Sequence, residues 1–193
     1  RDRYRNPVMV VMDGLIGQMM EPIEWRPVPK RDLPPKDWAT TGRKDRDHNN
    51  IINSLYLTPE KLEELVKERF ARYEQVKANE QMAEEYLTED ADIVLVAYGA
   101  SSRVARSAVN KAREKGIKAG LVRPITLWPF PTQALNRAAS HAKNFLVVEM
   151  SMGQMVDDVK LAIDCKVPVH FYGRTGGMIP TPAEVLEQIE ALL

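Results

Sequence analysis

Cysteine is nearly missing from this chain: Cys165 is the only one in 193 residues. A lone thiol excludes an intrachain disulfide and points to a reducing compartment, the cytoplasm. Only three histidines are present (His48, His141 and His170), too scattered to make a recognisable zinc or iron–sulfur spacing with that thiol. Net charge is lacking as well. The 27 basic and 27 acidic side chains cancel, which argues against a broad nucleic-acid surface. No apolar run approaches the roughly 20 residues of a membrane span. The sequence has neither the glycine spacing of a dinucleotide fingerprint nor a Walker-type phosphate loop. It has no Gly-x-Ser-x-Gly elbow, and no histidine has a serine or cysteine partner by motif. A standalone nucleotide-binding protein or a serine or cysteine hydrolase is therefore disfavoured.

Apolar residues are plentiful, at 44% of the chain, enough for a core of ordinary size. Arg1 is not an initiator methionine, and no signal-peptide pattern precedes the first apolar run. The chain reads as a piece of a longer polypeptide. Three textures follow one another. Residues 1–22 read as a buried strand (Pro7 to Met12), a turn at Asp13-Gly14 and a short helix from Leu15 to Met20. Residues 23–83 read as a connector. Pro27, Pro29, Pro34 and Pro35 hold the backbone extended. A polar loop spans Thr41 to Asn50, flanked by Trp38, Ile51, Ile52, Leu55 and Tyr56 as apolar anchors. Thr58 and Pro59 then open a long amphipathic packing helix, over about 58–83 and with room to run to Tyr86.

From residue 84 onward, strands and helices alternate. Strands are expected at Ile93–Ala97, Ile117–Val122, Phe145–Val148 and Val167–Tyr172. Helices are expected at Arg103–Lys115, closed by Gly116, at Thr132–Ala142, capped by Thr132, at Gln154–Ile163 and after Thr181-Pro182. Such alternation implies right-handed crossovers and a mostly parallel α/β sheet. A short strand near Glu84–Leu87 would add an antiparallel edge. A parallel sheet gathers the exits of its strands on one rim, where α/β proteins meet ligands and partners. Here that rim carries Ser101, Ser102, Arg103, Arg123, Glu149, Gln154 and Arg174. Ser101 and Ser102 sit at a helix start that favours an anion, and the three arginines could converge there. The alternative reading is capping serines with arginines held in structural ion pairs. Asp157-Asp158 reads as helix surface, and Met150, Met152 and Met155 read as core or as an adaptable contact.

Four stretches resemble one family: Pro7-Val8-Met9-Val10-Val11-Met12-Asp13-Gly14, Leu121 to Pro131, Val148-Glu149-Met150-Ser151-Met152-Gly153-Gln154-Met155, and Gly173-Arg174-Thr175-Gly176-Gly177-Met178-Ile179-Pro180. The chain resembles the alpha subunit of 2-oxoacid:ferredoxin oxidoreductases, and the resemblance runs nearly end to end. Asp37 to Gly42 and Asn50 to Leu57 look closest to the 2-oxoisovalerate, branched-chain branch. The resemblance implies that residues 1–22 end an upstream domain binding the pyrimidine of thiamine diphosphate. It implies that residues 84–193 form a three-layer α/β/α unit like the transketolase C-terminal domain. The assembled enzyme would oxidatively decarboxylate a 2-oxoacid to an acyl-coenzyme A and reduce ferredoxin. Its thiamine diphosphate, magnesium and iron–sulfur cluster would involve the beta subunit and the upstream domain, with no cofactor or metal held by this chain. The piece would serve structure and subunit assembly and be inactive alone. A second reading remains: a non-catalytic α/β docking module for a protein partner or small anion.

Overall fold

The computed structural model describes every residue except 31 and 44. Lys44, part of the polar loop read from the sequence, therefore lies outside the described residues. In chain order the elements are α1 (Gly14–Gln18), α2 (Pro59–Asn79), β1 (Ala83–Tyr86), β2 (Ile93–Val96), α3 (Gly99–Glu114), β3 (Ala119–Pro124), α4 (Thr132–Ala139), β4 (Asn144–Glu149), α5 (Met155–Ala162), β5 (Val169–Gly173) and α6 (Pro182–Ala191). They fall into two units, Arg1–Val10 with Met20–Val76, and Val11–Met19 with Lys77–Leu193.

In the second unit the strand order is β1-β3-β2-β4-β5. β2, β3, β4 and β5 run parallel, and β1 lies antiparallel on β3 with Glu84 opposite Arg123. The three central strands, β2, β3 and β4, are apolar at most positions because both faces of the sheet are covered there. Val94, Val96, Val122, Phe145 and Val147 form one core with α4 and α5 (Leu135, Val156 and Val159). Ile93, Leu95, Leu121, Leu146 and Val148 form the other with α3 and α6 (Val109, Val185 and Ile189). Three layers result, as the alternation and the resemblance implied. Each fully buried Leu, Ile or Phe in these layers contributes about 1.5–3 kcal/mol of transfer free energy.

Local signals explain the ends of several elements. Thr181 caps α6 in a complete capping box with Glu184, with Pro182 at the first helical position. Gly116, at φ +80°, closes α3. Its N–H donates to the Arg113 carbonyl, and that of Ile117 donates to Ala112, the paired bonds that end a helix on a left-handed glycine.

Five expectations need correction. Pro7–Met12 forms no strand, and Val8 to Met12 are 64–93% exposed; a strand without a neighbour to pair with does not persist. The long helix stops at Asn79, since the following residues pair with β3 instead of continuing it. α3 starts at Gly99, a full turn before Arg103. The N-cap of α4 is Pro131, and Thr132 lies inside the helix with its hydroxyl donating to Gln81 Oε1 at 3.3 Å. The apolar stripe of α2 and the flanks of the polar loop are not covered within the described residues: Leu62, Val66, Phe70, Ile51, Ile52 and Leu55 are all exposed. In the first unit, Trp38 is held by the Arg5 guanidinium 4.8 Å above its ring. Arg46 and Asn50 close the loop by donating to the carbonyls of Asp37 and Ala39.

Candidate functional site

Parallel order brings the ends of β2, β3, β4 and β5 to one rim, so Ser101, Arg123, Glu149 and Arg174 lie at the same end of the sheet. They do not converge on a common point. Arg123 pairs across the sheet edge with Glu84 at 3.1 Å, and Glu84 also pairs with Arg106. Arg106 stacks 4.2 Å from the centre of the Tyr86 ring. Arg174 is held by Glu184 at the start of α6. The Tyr172 phenol, followed by Glu184, raises the Arg174 guanidinium above its ordinary range. Register decides these pairings: Glu84 sits opposite Arg123 because β1 folds back antiparallel, and no local sequence signal announces that.

Glu149 ends β4 and is 4% exposed. Its carboxylate occupies the start of α5. It accepts the N–H groups of Gln154 at 3.1 Å, Met155 at 3.1 Å and Val156 at 3.0 Å, and the Ser151 hydroxyl at 2.9 Å. A buried carboxylate is stable only when it is hydrogen-bonded and opposed by positive charge, and the helix start supplies both. Gln154 is the N-cap residue of α5, but its side chain makes no capping bond.

The start of α3 is organised in the same way from farther along the chain. Asp13 caps α1 by accepting the Ile16 N–H at 2.8 Å, and its other oxygen accepts the Ala100 N–H at 2.8 Å. The anion expected at this helix start is thus a carboxylate of the chain itself. Ser101 and Ser102 lie inside the first turn, 3% and 5% exposed, and Ser102 donates to the Gly99 carbonyl at 2.7 Å. Arg103 is exposed. From the sequence, Asp13 reads as a turn residue. An aspartate just before a helix is a cap signal, but its reach to α3 is purely tertiary.

Asp13, Tyr98, Ser101, Glu149, Ser151 and Gln154 wall a small cavity of about 170 Å³. Burial, and then the carboxylates of Glu149, Asp13 and Asp158, push the Tyr98 phenol above its ordinary value. Asp157 and Asp158 occupy the first turn of α5 as helix surface, with Asp157 paired to Lys160 at 3.3 Å. Met155 is core, whereas Met152 on the rim is 84% exposed.

Residues 91–185 match the model of the pyruvate:ferredoxin oxidoreductase core domain II. Ketoisovalerate oxidoreductase subunit VorB of Methanothermobacter thermautotrophicus is 44% identical over 97% of this chain and 53% of its own length. 2-Oxoglutarate synthase subunit KorA of Methanothermobacter marburgensis is 31% identical over 97% of this chain and 57% of its own length. The chain spans about half the length of the curated relatives it matches. A solved 2-oxoglutarate:ferredoxin oxidoreductase from Magnetococcus marinus, with 2-oxoglutarate, coenzyme A and succinyl-CoA bound, shares the fold at 18% identity. Its TM-score is 0.62, over 79% of this chain and 28% of that one. The fold is thus a three-layer α/β unit of the kind found in a solved 2-oxoacid:ferredoxin oxidoreductase. The chain belongs to the 2-oxoacid:ferredoxin oxidoreductase family, among subunits of the ketoisovalerate and 2-oxoglutarate type.

That family implies a thiamine diphosphate and iron–sulfur enzyme. The described residues of this chain do not fit those groups. Among the described residues no three His, Cys, Asp or Glu side chains come together to hold a metal, and the single thiol, Cys165, is exposed. Iron–sulfur clusters need several thiolates. The starts of α3 and α5, where a diphosphate could otherwise rest, already hold Asp13 and Glu149. No helix among the described residues is long and apolar enough to cross a membrane.

Proposed function

We propose that this chain is the structural and assembly portion of a thiamine-dependent 2-oxoacid:ferredoxin oxidoreductase subunit. The whole enzyme oxidatively decarboxylates a branched-chain 2-oxoacid, 2-oxoisovalerate, to its acyl-coenzyme A and passes the electrons to ferredoxin. The observation that carries this reading is the 44% identity to the ketoisovalerate subunit over nearly the whole chain, against 31% to the 2-oxoglutarate type. On this reading residues 1–22 end a pyrimidine-binding domain, 23–83 connect, and 84–193 form the α/β domain. Thiamine diphosphate, magnesium and the iron–sulfur cluster are held elsewhere in the complex, by the beta subunit and the upstream domain. Coenzyme A and ferredoxin meet the complex and not this chain alone, and the setting is the reducing cytoplasm.

The rim residues Ser101, Ser102, Arg103, Arg123, Glu149, Gln154 and Arg174 then frame a face toward other subunits. Large apolar side chains exposed beside them, Ile125, Trp128, Met152 and Met178, support that reading, because such groups gain most when a partner covers them. Two measurements test it. The chain alone, given 2-oxoisovalerate, coenzyme A and an artificial electron acceptor, should show no turnover. Capture of the chain from its source cell should recover a thiamine-binding, iron–sulfur partner subunit. Turnover by the chain alone, or capture without such a partner, overturns the proposal.

A further inference from the structure

The cavity between the starts of α3 and α5 has one feature that the capping of those helices leaves unused. Ser101 is only 3% exposed and lines the cavity. None of the hydrogen bonds among the described residues involves its hydroxyl. No fully enclosed side-chain oxygen or nitrogen among those residues lacks a partner, so the Ser101 oxygen is open to the cavity. A hydroxyl placed there has both a donor and acceptor positions to offer a group that enters the cavity.

Charge decides what kind of group that is. Asp13 and Glu149 both line the cavity, and no lysine or arginine among the described residues does. The starts of α3 and α5 offset about half an elementary charge each, less than the two full carboxylate charges, so the cavity stays negative. Asp158 adds to the field that, after burial, raises the Tyr98 phenol and keeps it protonated. An anion would meet repulsion here and find the nearby helix N–H groups already taken. A cation would meet carboxylate, phenol and serine oxygens. Beside the cavity, Met152 is 84% exposed and Tyr98 is 37% exposed. Such apolar surface suits the methylene stem of a long basic side chain better than a small free amine.

We propose that this cavity receives the cationic head of a lysine or arginine side chain presented by a partner polypeptide. The inference deepens the assembly reading and rests on it for the partner's identity, while small probes test the cavity by itself. Nα-acetyl-lysinamide and Nα-acetyl-argininamide are titrated into the isotopically labelled chain, with Nα-acetyl-norleucinamide as the neutral counterpart and acetate as the anion. The cationic probes should shift the amides of residues 98–102 and 149–156 saturably, and the neutral and anionic ones should not. Ser101→Val, which replaces the hydroxyl with methyl groups, should weaken the cationic probes about tenfold, or about 1.4 kcal/mol. Tyr98→Phe, which removes an acceptor at a partly exposed position, should weaken them with the fold intact. Equal shifts from norleucinamide, binding of acetate at the same amides, or no response to any probe overturns the proposal. None of these results depends on whether the subunits assemble.

Discussion

Asp13 Oδ2 accepts the Ala100 N–H at 2.8 Å, joining residues 87 positions apart. The contact needs a bare backbone on the α3 side. Gly99 has φ +59°, and a Cβ placed there would lie 2.5 Å from that same Asp13 oxygen. The chain's Asp-Gly turn therefore acts as a clip between α1 and α3. Asp13→Ala should cost about 1 kcal/mol, the usual value of a lost cap, with hydrogen exchange rising at Ile16 and Ala100 and little change in β4. Gly99→Ala should destabilise more. Part of its cost should vanish in the Asp13→Ala background, and a double-mutant cycle in urea measures that coupling. Additive effects would show that the two residues do not oppose each other.

Glu149 holds three helix N–H groups and one hydroxyl while nearly excluded from water. Glu149→Ala strands those donors inside the protein. Each buried donor left unmet costs about 1–3 kcal/mol before relaxation, so a net loss on the order of 3 kcal/mol is expected in urea unfolding. A loss below about 1 kcal/mol would mean that water replaces the carboxylate without difficulty.

Gly120 is in β3 where the chain after β1 passes over it. A Cβ at this position would lie 2.6 Å from the Leu87 carbonyl oxygen and 2.9 Å from Thr88 Cα. Both obstacles are backbone and cannot rotate away. Gly120→Ala should cost about 1–3 kcal/mol, as overpacking does, and should loosen β1 first. Thermal melts with exchange readout at residues 84–86 would check both the size and the location.

Two carboxylates, the exposed Asp90 and the half-buried Glu184, set an acid limit. The Arg113 hydrogen bond holds Asp90 below its ordinary value, and the Thr181 backbone and hydroxyl, helped by Arg174, do the same for Glu184. A folded value lower than the unfolded one means these groups stabilise the fold fully above the ordinary carboxylate range. That contribution fades as the pH falls through the depressed folded values. Unfolding midpoints measured against pH should be flat from neutral down to that range and then drop. In an Asp90→Asn, Glu184→Gln double variant the drop should be shallower. An unchanged profile would show that neither group is linked to folding.

Much of the α/β unit was legible in advance. The runs Ile93–Val96, Leu121–Val122 and Phe145–Val148 are apolar at successive positions, the pattern of a strand covered on both faces. Gly116 and the Thr181-Pro182-Ala183-Glu184 start announce helix ends through local geometry. The same rule misled at Pro7–Met12, where apolar composition without a pairing neighbour leaves the segment exposed. At the rim, residue types were legible but partners were not. Arg123 and Arg174 carry the same charge as any ligand-binding arginine, and only register and helix placement commit them to Glu84 and Glu184.

The sequence by itself determined the alternation of strands and helices, the two-sided core and the common end at which the strands finish. These follow from side-chain hydrophobicity and backbone stereochemistry acting over a few residues. The tertiary structure alone decided that Asp13 reaches α3, that Glu149 turns back into α5, and that Ser101 lines a cavity with both carboxylates. Hydrogen bonds and charges select partners by distance in space, and distances across 87 residues of chain exist only once the sheet has formed.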